Sequence, residues 1–277
     1  MIPAPFDLVR AGSVEEALTA LGEHGDDAKL LAGGMSLLPL MKLRLATPAV
    51  LVDVGRLDEL RYVRAEGDAV TIGALSRHAD LERSDVLAEH APVLAAVAGE
   101  VGDPQVRHRG TIGGSAAHGD PASDLPAVLA AAEATMVCRG PAGARHVPAG
   151  EFFRGFLETA LAPDELLTEI RLPRGTQAFS YQKFCRRAQD WAIVGALALR
   201  VDGEVRVSLV GMAPVPWRAS ATEAALAGGA SIAQAAAVAD EGTEPAGDHL
   251  AGAGFRRHLA RTLTRRALEA VLARPGT

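Results

Sequence analysis

Apolar positions near the start of the chain recur at helical spacing and then give way to short unbroken runs. Val14, Ala17, Leu18 and Leu21 fall at i, i+3, i+4 and i+7, one face of a helix. Ser13-x-x-Glu16 opens that segment as a capping box, and Gly25 marks its stop. Residues 29–32 predict a strand, 37–41 a short helix with Ser36 near its N-cap, and 50–54 a second strand, a compact β–loop–α–β unit. Further strands are predicted at 70–73 and 135–138. A helix is predicted from Pro92 to about Val101, with Leu94, Val97, Ala98 and Val101 on one face. Residues 110–115 read as a loop. Another helix opens at Asp124-Leu125-Pro126, where proline suits the first turn.

The period changes after Pro173. Phe179, Tyr181 and Lys183 alternate with Ser180, Gln182 and Phe184, and segments 192–200 and 205–212 read as strands joined at Asp202-Gly203, a hairpin signal. Capping boxes follow at Ser220-x-x-Glu223 and Ser231-x-x-Gln234, and a last helix runs from about Phe255 to Leu272. The expected tail is three antiparallel strands plus a small helical bundle. The boundary falls near Gly175, dividing the chain into 1–175 and 176–277, in an α+β fold.

Composition narrows the function. Of 277 residues, 48% are hydrophobic and 22% charged, enough to bury a core, while aromatics are only 4%, so small aliphatic side chains should fill it. A net charge of −6 argues against general nucleic-acid binding. No apolar run approaches the ~18–20 residues of a membrane span. The N-terminus lacks a signal-peptide pattern, and a cytoplasmic protein is expected. Cys138 and Cys185 are too few for a standard iron–sulfur cluster, and no metal site is expected.

The dinucleotide fingerprint Gly-x-Gly-x-x-Gly, the P-loop, Gly-x-Ser-x-Gly and His-Glu-x-x-His are all absent. Two glycine-rich stretches remain, Ala32-Gly33-Gly34-Met35-Ser36 and Gly110-Thr111-Ile112-Gly113-Gly114-Ser115. Paired glycines let successive backbone N–H groups turn toward one anion, and a pyrophosphate suits two such stretches. Either stretch alone is equally a tight turn.

The flanks decide between these. Asp103-Pro104-Gln105-Val106-Arg107-His108-Arg109 precedes the second stretch, and Ala116-Ala117-His118-Gly119-Asp120-Pro121-Ala122-Ser123-Asp124-Leu125-Pro126 follows it. With Leu37-Leu38-Pro39 and Met41-Lys42-Leu43-Arg44 after the first stretch, the chain resembles the FAD-binding medium subunit of the molybdenum hydroxylases. That family includes aerobic CO dehydrogenases and bacterial xanthine dehydrogenases. The likeness covers nearly the full length. His108 (often Asn), Met35 (His in some CO-oxidising members) and Phe255 (often Tyr) depart from the pattern.

The resemblance implies a two-subdomain FAD-binding PCMH-type, vanillyl-alcohol-oxidase-like domain followed by a small C-terminal domain. It implies that Leu31, Ala32, Gly33, Gly34, Met35, Ser36 and Leu37 wrap the pyrophosphate and adenosine side of FAD. Thr111, Ile112, Gly113, Gly114 and Ser115 would hold the diphosphate with backbone donors, so that valine at 113 or 114 would block its approach. Val101, Gly102 and Ala117 would line the flavin cleft, with Asp120 nearby. Asp124 would accept from the ribityl hydroxyls, Leu167 and Trp191 would lie near the ring, and Lys183 would approach its pyrimidine edge. Other readings stand beside these: Leu167 as plain core, Trp191 as a sheet anchor, Lys183 as an edge-strand charge, Asp124 as a helix cap. Arg256, Arg257, Arg261, Arg265 and Arg266 fit a solvated helix face or a docking face.

The resemblance also implies partners. A large molybdopterin-binding subunit would oxidise substrate and a small [2Fe-2S] subunit would deliver electrons, which this chain would pass to a quinone, NAD or another acceptor. No catalytic side chain is expected here. A self-contained flavin oxidase and a non-catalytic nucleotide-binding scaffold are the alternatives.

Overall fold

The computed structural model describes residues 2–175 and 178–273. Three short strands open the chain: β1 (Asp7–Arg10), β2 (Ala28–Leu31) and β3 (Val50–Asp53). They form a parallel sheet with β3 central, Val50 standing opposite both Asp7 and Ala28. The helix Val14–His24 covers it, burying Val14, Ala17 and Leu21 against Val50 and Val52. Ser13 accepts from the Glu16 N–H, but the Glu16 carboxylate reaches Gly12 rather than closing the reciprocal box.

The second sheet begins with β4 (Val63–Glu66), β5 (Ala69–Gly73), β6 (Thr135–Gly140) and β7 (Gly143–Pro148). A small hairpin of β8 (Phe153–Gly155) and β9 (Glu158–Thr159) follows, and β10 (Leu166–Pro173) returns to the sheet centre. The order is β4-β5-β10-β6-β7, antiparallel throughout. Ile170 of β10 stands between Ile72 and Met136, all three fully buried. The helices Pro92–Gly99 and Asp124–Ala131 close this core with Leu94, Val97, Leu125 and Leu129. The register shifts between Leu167 and Glu169, a bulge of the kind that re-aims a side chain.

The third sheet holds β11 (Ala178–Phe184), β12 (Val194–Val201), β13 (Glu204–Val210) and β14 (Trp217–Arg218). The three expected strands are thus joined by a two-residue fourth, too short to show as a period. The β12–β13 turn places Asp202 and Gly203 at φ 50° and 86°, the primed hairpin that Asp-Gly favours. Val194, Ala196 and Ala198 face the long helix Ala253–Leu272, whereas Leu197 and Leu199 join the core of the second sheet. Both faces of β12 are therefore buried, which is why it reads as an unbroken apolar run.

Three expectations are revised. Residues 110–115 are not all loop: Ile112–His118 is helical, because Thr111 caps it by accepting from the Gly114 N–H. Glu223 does not box Ser220; it accepts from Val207 N–H and pairs with Arg218, tying helix to sheet. The arginines of the last helix are not simply solvated. Arg256 is buried, donating to the Ile193 carbonyl and to Asp248, and Arg261 grips Asp240. The expected boundary after Gly175 borders residues outside those described.

Leu129→Ala removes a fully buried side chain between the second and third sheets. It is expected to cost about 2–5 kcal/mol, read as a lower chemical-denaturation midpoint at unchanged slope.

Candidate functional site

A cavity of about 630 Å³ lies where the three sheets meet. It runs from Leu21, Asp26 and Leu30 beside the first sheet, past both glycine stretches, to Lys183 and Trp191 of the third. The first stretch leaves the carboxyl end of β2, the side on which parallel sheets place their ligands. Among the described residues, the N–H groups from Gly33 to Leu37 have no protein acceptor. Ser36 stands at the N-cap of the helix Leu37–Lys42 without its side chain capping it, so its hydroxyl is also unspent. Gly34 holds φ 76°, which turns the chain there and favours glycine.

The second stretch is built differently. Ile112 N–H donates to Ser76 O (3.0 Å), Gly113 to Ala74 O (2.8 Å), Gly114 to Thr111 Oγ1 (3.2 Å) and Ser115 to Thr111 O (3.0 Å). These four donors are occupied within the protein, which leaves the Thr111 N–H, without an acceptor among the described residues, as the open main-chain donor of the expected set. Gly113 is small for another reason too: a β-carbon there would sit 2.5–2.6 Å from Ala74. This stretch serves largely as a rigid wall, and most of the open donors belong to the first.

The far end holds a buried charge pair. Tyr181 and Lys183 project from one face of β11 onto Asp124, at the start of the helix Asp124–Ala131. Lys183 Nζ donates to Asp124 Oδ2 (2.8 Å) and to the Glu100 carbonyl (2.9 Å), and the Tyr181 hydroxyl donates to Oδ1. Gly195, opposite Lys183 on β12, makes room: a β-carbon there would meet the Tyr181 hydroxyl at 2.7 Å. Burial pushes the Asp124 carboxyl up, opposed by Lys183 and Tyr181. Burial and the adjoining carboxylate raise the Tyr181 phenol well above its ordinary range. An ammonium has three N–H donors, so the two bonds leave Lys183 one for the cavity.

The wall carries most of the expected residues: Ala32 to Leu37, Val101, Gly102, Thr111, Gly113 to Ser115, Ala117, Asp124, Leu167, Lys183 and Trp191. Three expected residues stand elsewhere. Leu31 ends β2, its carbonyl bound by Val54 N–H. Ile112 is fully buried in the core. Asp120 turns back to accept from Ala122 N–H. The sequence reading missed Tyr181, His78 and the β8–β9 hairpin, whose Glu158 and Thr159 face the cavity. Only the alternation that pairs Tyr181 with Lys183 hinted at any of them.

Residues 4–175 match the family described as FAD binding domain in molybdopterin dehydrogenase, and residues 179–271 match CO dehydrogenase flavoprotein C-terminal domain. The chain belongs to the molybdopterin dehydrogenase FAD-binding family. It is 42% identical to the carbon monoxide dehydrogenase medium chain of Hydrogenophaga pseudoflava, covering 99% of each chain. It is 36% identical to the glyceraldehyde dehydrogenase medium chain of Sulfolobus acidocaldarius, over 98% of this chain and 100% of that one. It superposes with a TM-score of 0.96, at 44% identity and full coverage of both chains, on the H. pseudoflava carbon monoxide dehydrogenase that lacks the Mo-pyranopterin moiety of its molybdenum cofactor. FAD is the cofactor of this family's domain, and the chain is an oxidoreductase component of dehydrogenase type. Among the described residues, no helix is long and apolar enough to cross a membrane.

The cavity fits that cofactor by its own features. A dinucleotide needs donors for a central diphosphate and apolar walls for two ring systems, and this elongated cavity combines both. Leu21, Leu30, Val54 and Leu166, of the core beside the first sheet, wall one end; Val101 and Leu167, of the core under the second sheet, lie toward the other.

Gly113→Val is expected to destabilise the protein even without nucleotide, since its side chain would enter Ala74. A thermal melt should fall by roughly 5–10 °C with or without FAD. Acid should act through His78, whose burial, with the like charge of Arg107, lowers its pKa from 6.5 to about 4. Between those values the unfolded chain binds the proton and the folded chain does not, so stability falls as pH drops through that window. The loss should reach about 3 kcal/mol near pH 4, and His78→Phe should abolish this part of the pH dependence in urea unfolding.

Proposed function

We propose that this chain is the FAD-carrying medium subunit of a molybdenum hydroxylase-type dehydrogenase, relaying electrons from a partner's iron–sulfur clusters to an external acceptor. The observation that carries this reading is the row of unclaimed N–H groups from Gly33 to Leu37, facing a cavity that ends at a buried lysine. Bound there, FAD supplies two-electron chemistry that can be divided into single-electron transfers.

The chain's own residues bind and tune. Backbone donors of 33–37 and the Ser36 hydroxyl hold the diphosphate. The wall of Thr111, Gly114 and Ser115 sets its position. Lys183, held by Asp124 and the Glu100 carbonyl, would offer its remaining N–H to the ring's pyrimidine edge, where a cation would favour reduction of the flavin. Leu167 and Trp191 bound the ring. Residues 1–175 act as the cofactor-binding unit, and 176–277 supply Lys183 and Trp191 from above.

Substrate oxidation belongs to a large molybdopterin-binding subunit, and a small [2Fe-2S] subunit links the two centres. Relatives serve dehydrogenases of carbon monoxide and of glyceraldehyde, which supports a cavity specialised for the cofactor and not for any one substrate. The acceptor is an external carrier such as a quinone or NAD.

The purified full chain should take up one FAD and turn yellow, and in the complete complex that colour should bleach when substrate is added. Absence of FAD uptake, or a bound flavin that substrate cannot reduce in the complete complex, would sink the proposal. Lys183→Gln keeps a hydrogen bond to Asp124 but removes the charge. Its flavin midpoint potential should fall by about 30–60 mV, since 30 mV corresponds to about 1.4 kcal/mol for two electrons.

A further inference from the structure

His78 is a buried titratable side chain on the cavity wall to which none of the roles above is given. It is 4% exposed, and its Nδ1 is enclosed without a hydrogen-bond partner among the described residues. Nε2 also has no partner there, but unlike Nδ1 it is not sealed off. The edge bearing Nε2 lies against Gly110: a β-carbon on Gly110 would come within 2.8 Å of Nε2 and 2.7 Å of Cδ2. Gly110 lines the same cavity and is also the residue on which Gly33 packs. The main-chain N–H of His78 donates to the Gly110 carbonyl at 3.0 Å, which holds this residue beside the junction of the two glycine stretches.

A neutral imidazole carries one N–H and one lone pair. An orphaned buried N–H is rarer in proteins than an under-used acceptor, so the proton belongs on Nε2 and the bare lone pair on enclosed Nδ1. Burial keeps the ring uncharged at neutral pH, with a pKa lowered to about 4. The unclaimed donors of 33–37 border that same junction.

We infer that His78 is a ligand-contacting residue, a neutral donor whose Nε2–H binds a diphosphate oxygen of FAD where the two glycine stretches meet. This rests on the reading of the cavity as an FAD site. The imidazole adds a side-chain donor to a grip otherwise built from main chain and the Ser36 hydroxyl. It does so without a buried positive charge that burial would penalise.

The test titrates the full-length chain, freed of flavin, with FAD and with riboflavin, which lacks the diphosphate. His78→Phe keeps a ring without the donor; His78→Gln offers an amide N–H instead. A hydrogen bond to a charged group implies FAD binding about 10–100-fold weaker in His78→Phe and within about fivefold of wild type in His78→Gln, with riboflavin binding the same in all three. FAD affinity in His78→Phe within about threefold of wild type would overturn the inference, and so would equal weakening for riboflavin. If wild-type chain takes up no FAD, the reading of the cavity fails instead. Should His78→Phe not fold, ¹⁵N spectra of wild-type histidines decide: a shifted Nε2 resonance of His78 on adding FAD supports the contact, and an unmoved one overturns it.

Discussion

Gly33 lies against the carbonyl of Arg109 and the Cα of Gly110, and any side chain at position 33 would occupy the space they fill. That close approach of two main chains brings β2 and its loop onto the start of the helix Ile112–His118. The parallel first sheet and the antiparallel second sheet share one cleft because of it. The loop's residues then line that cleft, and among the described residues their N–H groups have no protein acceptor. A β-carbon at position 33 would force the two stretches apart.

The two glycine stretches divide the work. The second is consumed by structure: Thr111 caps a helix, Gly113 packs on Ala74, and every N–H from Ile112 to Ser115 is bonded within the protein. The first spends almost nothing internally. A rigid wall facing an open set of donors is the preorganised arrangement that binds an anion without paying for rearrangement on contact.

Charge at the far end follows a similar logic. A lone buried lysine would be costly, but Asp124, the Tyr181 hydroxyl and the Glu100 carbonyl share the burden. The C-terminal sheet delivers both Tyr181 and Lys183, while Leu197 and Leu199 on its middle strand lock it into the core of the second sheet. The C-terminal segment is therefore part of the site and not an appendage to it.

Much of this was legible in the residues alone. The helix Val14–His24, the hairpin at Asp202-Gly203 and the sheet face carrying Lys183 follow from local period and turn chemistry, which act over a few positions. The two glycine stretches likewise announced themselves by composition. Local pattern could not assign their donors, because whether an N–H is free depends on carbonyls such as those of Ser76 and Ala74, which lie about 35–40 positions away along the chain. Nor could it place His78 beside Gly110, turn Asp120 away from the cavity, or join Tyr181 to Asp124 across 57 residues. Sequence fixes what each short segment prefers to be. Which polar atoms remain unsatisfied, and so able to hold a ligand, is settled only when distant segments pack together.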